Sequence, residues 1–177
     1  MKSLLAAALI CSSLLPGISQ AGPNDVSRLD VTPYSAPQKA VYDFEFANSG
    51  DLRAALNNVK VHVKTLQELG NPPFKIVLVL HGNELNAVSR LNQKLFPDVY
   101  GKLKEISEMG VQIHVCAAAA KVRGYQPDDF YDVVTVVPAA LTDIAKLEGE
   151  GYSYIKLALP VRVTRTDLLQ HPELSAQ

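Results

Sequence analysis

Cysteine is the scarcest chemically active residue type in this chain: there are two, Cys11 and Cys116. Cys116 ends the apolar run VQIHV and is followed by four alanines, Ala117 to Ala120, then by Lys121 and Arg123. That is the joint between an expected strand and an expected helix. The first turn of a helix has backbone N–H groups without intrahelical partners and a partial positive charge. Both suit a thiolate. The alanines leave little bulk in the way of a small substrate. Lys121 and Arg123 would add positive potential near the sulfur if the helix turns them that way. The opposing reading is a buried cysteine that packs as a small hydrophobe.

A second cluster, His81-Gly82-Asn83-Glu84, ends the run KIVLVL. Open α/β sheets bind ligands at the carboxyl ends of their strands. If the two runs are neighbouring strands, His81 and Cys116 share one sheet edge, with Gly82, Asn83 and Glu84 forming a cleft there. The opposing reading of His81 is a hydrogen-bonded structural histidine. His114 shares a strand face with Gln112, and two polar side chains on one face predict a subunit interface. His62, in a long helix, is expected at a surface or interface, and His171 lies in the C-terminal tail. No pair of these histidines has zinc-ligand spacing with a second cysteine, so no metal centre is expected. The chain has no G-x-G-x-x-G after a strand, no P-loop, no G-x-S-x-G and no C-x-x-C, so no cofactor and no intrachain dithiol cycle are expected.

The elements that position these residues follow from the hydrophobic pattern. Met1-Lys2, the apolar LLAAALICSSLL and the ending GISQAGP read as a secretory signal peptide, with Ser19 and Ala21 fitting cleavage after Ala21. A lipoprotein signal at Cys11 would need a small residue where Ile10 stands. No later run reaches the about 20 apolar residues of a membrane span, so the mature form is expected in the periplasm, without a membrane anchor. Its lone cysteine is then a free thiol, an intermolecular link or a reactive site. Net charge is −1 for the whole chain, which gives no electrostatic reason to expect nucleic acid.

Residues 22–40, with three prolines, read as a linker or loosely docked arm. AVYDFEF is an expected strand. Leu52, Ala55, Leu56, Val59, Val63, Leu66 and Leu69 then recur at helical spacing up to Gly70. FKIVLVLHG, almost continuously apolar, suits a strand covered on both faces. ELNAVSRLNQKLF and PDVYGKLKEISEMG read as helices. After VQIHV come the short helix CAAAAKVR, the strand DVVTVV, a helix with Pro138 in its first turn, and a final strand GYSYIKLAL. This alternation predicts one mostly parallel sheet of about five strands with helices on both faces, an α/β/α sandwich spanning residues 41–157. Residues 158–177 form a tail, as a strand, a helix or an arm packed on a neighbour.

Four segments in this order, VYDFEFANSGDLRAALNNVKVHV, KIVLVLHGNEL, LKEISEMGVQIHVCAAAAKVRGY and VVPAALTDIAKLEGEGYSYIK, resemble the DsrE/DsrF-like proteins of sulfur metabolism. The resemblance implies a compact α/β/α sandwich that assembles into small homo- or hetero-oligomers. Several members of that family carry sulfur as a cysteine persulfide and pass it between proteins. By this similarity Cys116 is the sulfur-carrying residue, a thiol protein is its partner, and Lys121, Arg123 and the helix N-terminus stabilise Cys–S–S⁻. Two other classes stay open. One is a non-catalytic oligomeric module that binds a small ligand in the His81 cleft, with Cys116 as packing. The other is a hydrolase with Cys116 as nucleophile and His81 as base, which needs the two side chains to meet.

Overall fold

The computed structural model describes residues 32–160 and 163–173. The expected signal peptide and the first part of the expected arm lie outside the described residues. After a 3-10 turn at Thr32–Ser35, strand β1 (Gln38–Phe44) leads into helix α1 (Leu52–Glu68), then β2 (Phe74–Leu80). Helices α2 (Leu85–Val88) and α3 (Val99–Glu108) precede β3 (Val111–Cys116) and α4 (Ala117–Val122). Strand β4 (Thr135–Val137), α5 (Ala140–Gly149), β5 (Ser153–Lys156) and α6 (Arg165–Gln170) complete the order. The five strands form one sheet in the order β4-β3-β2-β1-β5, and every pairing is parallel. The α/β expectation therefore holds. No helix among the described residues is long and apolar enough to cross a membrane.

The two faces of the sheet differ. One is apolar along each central strand: Ala40, Tyr42 and Phe44 from β1, Ile76, Leu78 and Leu80 from β2, Val111, Ile113 and Val115 from β3. The buried stripe of α1, from Leu52 to Leu66, packs on it together with Val99, Leu103 and Ile106 of α3. The other face has a smaller apolar strip, Val41, Val77, Val79 and Cys116, beneath Ala140, Ile144 and Leu147 of α5. Because successive strand residues point to opposite faces, Asp43, His81 and His114 belong to this second face.

Several boundaries differ from the sequence reading. β1 opens at Gln38, inside the stretch read as an arm. ELNAVSRLNQKLF is not one helix. Ser89, fully buried, is extended (φ −82°, ψ 128°) and bridges Phe130 in antiparallel fashion. Its hydroxyl accepts from Leu91 N–H and donates to the Asp129 carbonyl. Serine competes with helical hydrogen bonding through such local contacts, so the segment is split into α2 and a 3-10 turn at Arg90–Asn92. β4 keeps only Thr135–Val137 of DVVTVV, paired on one side alone. Pro138 precedes the N-cap Ala139 instead of lying in the first turn of α5. The tail contributes α6, started by a capping box between Thr164 and Asp167.

Candidate functional site

Cys116 is the N-cap of α4, held extended at φ −71° and ψ 112°. Its last strand pairing is with Val137, so the chain leaving β4 starts α5 beside the start of α4. Ala118 N–H, bonded to the Pro138 carbonyl at 3.2 Å, ties the two starts together. The result converges on one atom. Cys116 Sγ accepts from Ala119 N–H at 3.3 Å and from Ala140 N–H at 3.3 Å. The amides belong to the first turns of two different helices, both with their positive ends toward the sulfur. Cys116 is only 5% exposed.

The next strand over ends in His81. Leu80 pairs with Val115, so His81 and Cys116 are each one residue beyond that pair, on adjacent strands and the same face. They are neighbours along the edge, as the sequence predicted, but no hydrogen bond joins them. The His81 ring instead turns toward β1, where Nε2 lies 2.6 Å from Asp43 Oδ1. Against a carboxylate that nitrogen carries the proton. Asp43, 5% exposed, also accepts from Tyr154 O–H at 2.5 Å and Lys156 Nζ at 2.9 Å, both on β5. Lys156 reaches Glu45 as well, at 3.0 Å. Burial alone would raise the Asp43 carboxyl, but the bonds from Tyr154, His81 and Lys156 together outweigh it and hold it below the usual carboxylate range. Lys156 loses something to burial, yet its two carboxylates push it up to about 12.

The other predicted cleft residues divide. Glu84 does not face a ligand. It is fully buried, and its carboxylate accepts three backbone N–H groups: His81 at 2.8 Å, Gly82 at 2.7 Å and Phe46 at 2.9 Å. It clamps the end of β2 to the end of β1. Burial pushes its carboxyl above the usual range against the opposing pull of those amides. Gly82 belongs to the same clamp, since a Cβ there would lie 2.5 Å from Phe46 N and 2.8 Å from the Glu45 carbonyl carbon. Asn83 does reach the surface. Its side-chain oxygen accepts from Arg123 Nε and Nη2, each at 3.3 Å, while Arg123 Nη1 donates to the Ala119 carbonyl at 3.0 Å. Glu45, Phe46, Ala47, His81, Gly82, Asn83 and Arg123 line a shallow cleft of about 340 Å³. Lys121 is elsewhere. It lines a separate cavity of about 240 Å³ with Ala117, Tyr125 and Pro127, so α4 sends Arg123 and Lys121 to different sides.

Three histidines lie outside this edge. His114 Nδ1 is 2.6 Å from Asp143 Oδ2 on α5. The polar strand face that pointed to a subunit interface thus has a partner within the chain, although Gln112 is exposed. His62 is half-buried, with Nδ1 2.8 Å from the Tyr42 hydroxyl and Nε2 3.2 Å from Gln38 Oε1. Burial lowers its pKa. His171 follows α6 and meets Glu173 at 3.2 Å. Among the described residues no group of three His, Cys, Asp or Glu side chains is placed to hold a metal ion. Asp43, Tyr154 and Lys156 are the site residues the sequence reading missed. The available signal was an aspartate within the otherwise apolar stretch Ala40–Phe44, in phase with the face that carries His81.

Comparisons with known proteins fit this architecture. A protein of unknown function from Methanobacterium thermoautotrophicum, MTH1491, has a similar structure, with a TM-score of 0.57 and 20% identity over 68% of this chain and 99% of its own. At that identity the likeness concerns the fold. BT1422 from Bacteroides thetaiotaomicron, also of unknown function, aligns at a TM-score of 0.46 and 13% identity over 73% of this chain and 100% of its own. No curated protein matches the chain in sequence. The model of the DsrE/DsrF-like family matches residues 32–157. The chain belongs to the DsrE/DsrF-like family.

Proposed function

We propose that this protein is an exported sulfur carrier that holds sulfane sulfur on Cys116 as a persulfide. The observation that carries the reading is the pair of first-turn amides, from Ala119 and Ala140, both directed at Sγ. They complement negative charge on the sulfur, which the residue bears when it attacks and again when it leaves. In loading, the Cys116 thiolate attacks the outer sulfur of a donor R–S–SH. A new S–S bond forms on Cys116, the donor's S–S bond breaks, and R–S⁻ departs. An acceptor thiol repeats the exchange in the opposite sense, with no net gain or loss of electrons.

Burial sets the route. With Cys116 at 5% exposure, the donor sulfur enters past Ala117–Ala119 and the Pro138–Ala139 turn, where the side chains are small. A thiol protein is the natural partner, and an assembly of several copies is expected from the family resemblance. The periplasmic location rests on the N-terminal sequence. Intact mass of the mature chain, before and after incubation with inorganic tetrasulfide, tests the reading. A gain of one or more sulfur atoms, reversed by reductant and absent in Cys116→Ser, supports it, and no gain in the wild type overturns it.

One observation favours a second reading. The His81–Arg123 cleft is open while Cys116 is nearly closed. A binding module that takes a small ligand in that cleft, with Cys116 as packing, would show unchanged ligand affinity in Cys116→Ser.

A further inference from the structure

Asp43 is buried beneath three donors, and neither the fold nor a persulfide on Cys116 requires that arrangement. A carboxylate inside a strand costs stability unless it is fully paired, and apolar residues fill the equivalent positions on the opposite face. The arrangement does have a chemical consequence. Asp43 Oδ1 takes Nε2–H of His81 at 2.6 Å, while Oδ2 is held by Tyr154 and Lys156. Both carboxylate oxygens are thereby fixed, and the imidazole is fixed in orientation and tautomer. Its Nδ1 is left as an acceptor. Nδ1 has no hydrogen-bond partner among the described residues. His81 is 15% exposed and lines the cleft with Asn83 and Arg123, one strand from Cys116.

We propose that Asp43 is the positioning residue of a proton-transfer pair, with His81 taking the proton of the acceptor thiol that discharges Cys116. The proposal rests on the sulfur-carrier reading and names the groups that make the acceptor reactive. R–SH enters the His81 cleft and gives its proton to Nδ1. R–S⁻ attacks the outer sulfur of Cys116–S–SH, forming R–S–SH as the bond to Cys116 breaks. Cys116 leaves as a thiolate into the Ala119 and Ala140 amides, and the His81 imidazolium returns the proton to it. The sum is Cys116–S–SH plus R–SH giving Cys116–SH plus R–S–SH, balanced in atoms and electrons. His81 and Cys116 each lie one residue beyond the paired Leu80 and Val115 on adjacent strands, which puts the proton acceptor beside the strand end that carries the sulfur. The charged and titratable groups near the ring are Asp43 and Glu45 from the β1 end, Tyr154 and Lys156 from β5, Glu84 from its own strand end and Arg123 at the C-cap of α4, and the His114–Asp143 pair lies on the same face of the sheet.

The test uses the mature chain loaded with tetrasulfide and discharged by N-acetylcysteine, with the rate followed against pH. Wild type is compared with His81→Gln and Asp43→Asn. Both variants should slow discharge at neutral pH by about 10²-fold, the scale of a positioned acid–base group, and flatten the pH–rate profile. The discharge rate of each variant is read on the fraction of its Cys116 that carries sulfur. Nitrogen-15 NMR of the wild-type imidazole supplies a measurement that needs no variant to fold, and should show the proton on Nε2. Discharge by both variants at the wild-type rate and pH profile, or a wild-type proton on Nδ1, overturns the pair while leaving the carrier intact. A wild type that takes up no sulfur overturns the carrier reading and this inference with it.

Discussion

The two faces of the sheet are made from the same strands, yet one is a broad core and the other a narrow core beside the candidate site. Beneath α1 and α3, the alternate residues of β1, β2 and β3 are all apolar and almost fully buried. Beneath α5 only a strip of four is apolar, and polar side chains begin where that strip ends: Asp43 on β1, His81 past β2, His114 on β3. A single ten-residue helix covers too little of a five-stranded sheet to exclude water from its carboxyl edge. Each of these polar groups is satisfied by a hydrogen bond within the chain, and His81 also lines a cleft. The broad face holds most of the apolar core and the narrow face holds the candidate site.

The largest effect that sharpens this contrast belongs to the broad face. Leu78→Ala removes a fully buried side chain between α1 and the sheet, and should cost about 2–5 kcal/mol in denaturant unfolding. Glu84→Gln comes next. An amide offers one acceptor oxygen in place of two and brings donors into a nest of N–H groups, so about 1–3 kcal/mol should be lost. A loss near zero there would mean the two strand ends do not depend on the clamp.

Asp43→Asn changes the shape of the pH dependence. The folded-state carboxyl is held below the ordinary range, so its stabilisation is complete above the unfolded value of about 3.9 and is lost as pH falls through the depressed folded value. The variant should lose that part of the acid limb of an unfolding profile. An unchanged limb would show that Tyr154, His81 and Lys156 do not favour the charged carboxylate. The smallest effect belongs to the outer surface of α5, where Leu141 is 76% exposed. Leu141→Ser should change stability by no more than about 0.5 kcal/mol.

What the sequence revealed follows the same division. KIVLVL read correctly as a strand covered on both faces, because continuous apolarity reports burial directly. The stripe of α1 and the joint at Cys116 were legible for similar local reasons. ELNAVSRLNQKLF misled because Ser89 is drawn out of the helix by Phe130, forty-one positions later in a loop. Glu84 looked like a cleft residue because its partners come from the ends of two strands, whose meeting no local pattern encodes. Asp43 went unnoticed since Tyr154 and Lys156 lie more than a hundred residues away. Lys121 in α4 and Arg123 at its C-cap are two apart, and only the packing of that helix decides which of them lines the cleft with His81.

The central claim is that Cys116, held by two helix amides on the narrow face, is a working thiol and not a packing residue. Alkylation of the folded mature chain by iodoacetamide at neutral pH, read by intact mass beside a denatured sample, tests it most directly. The account predicts that Cys116 is modified in the folded protein and that prior loading with tetrasulfide directs the label to the added sulfur. Modification only after unfolding would contradict it and make Cys116 part of the core beneath α5.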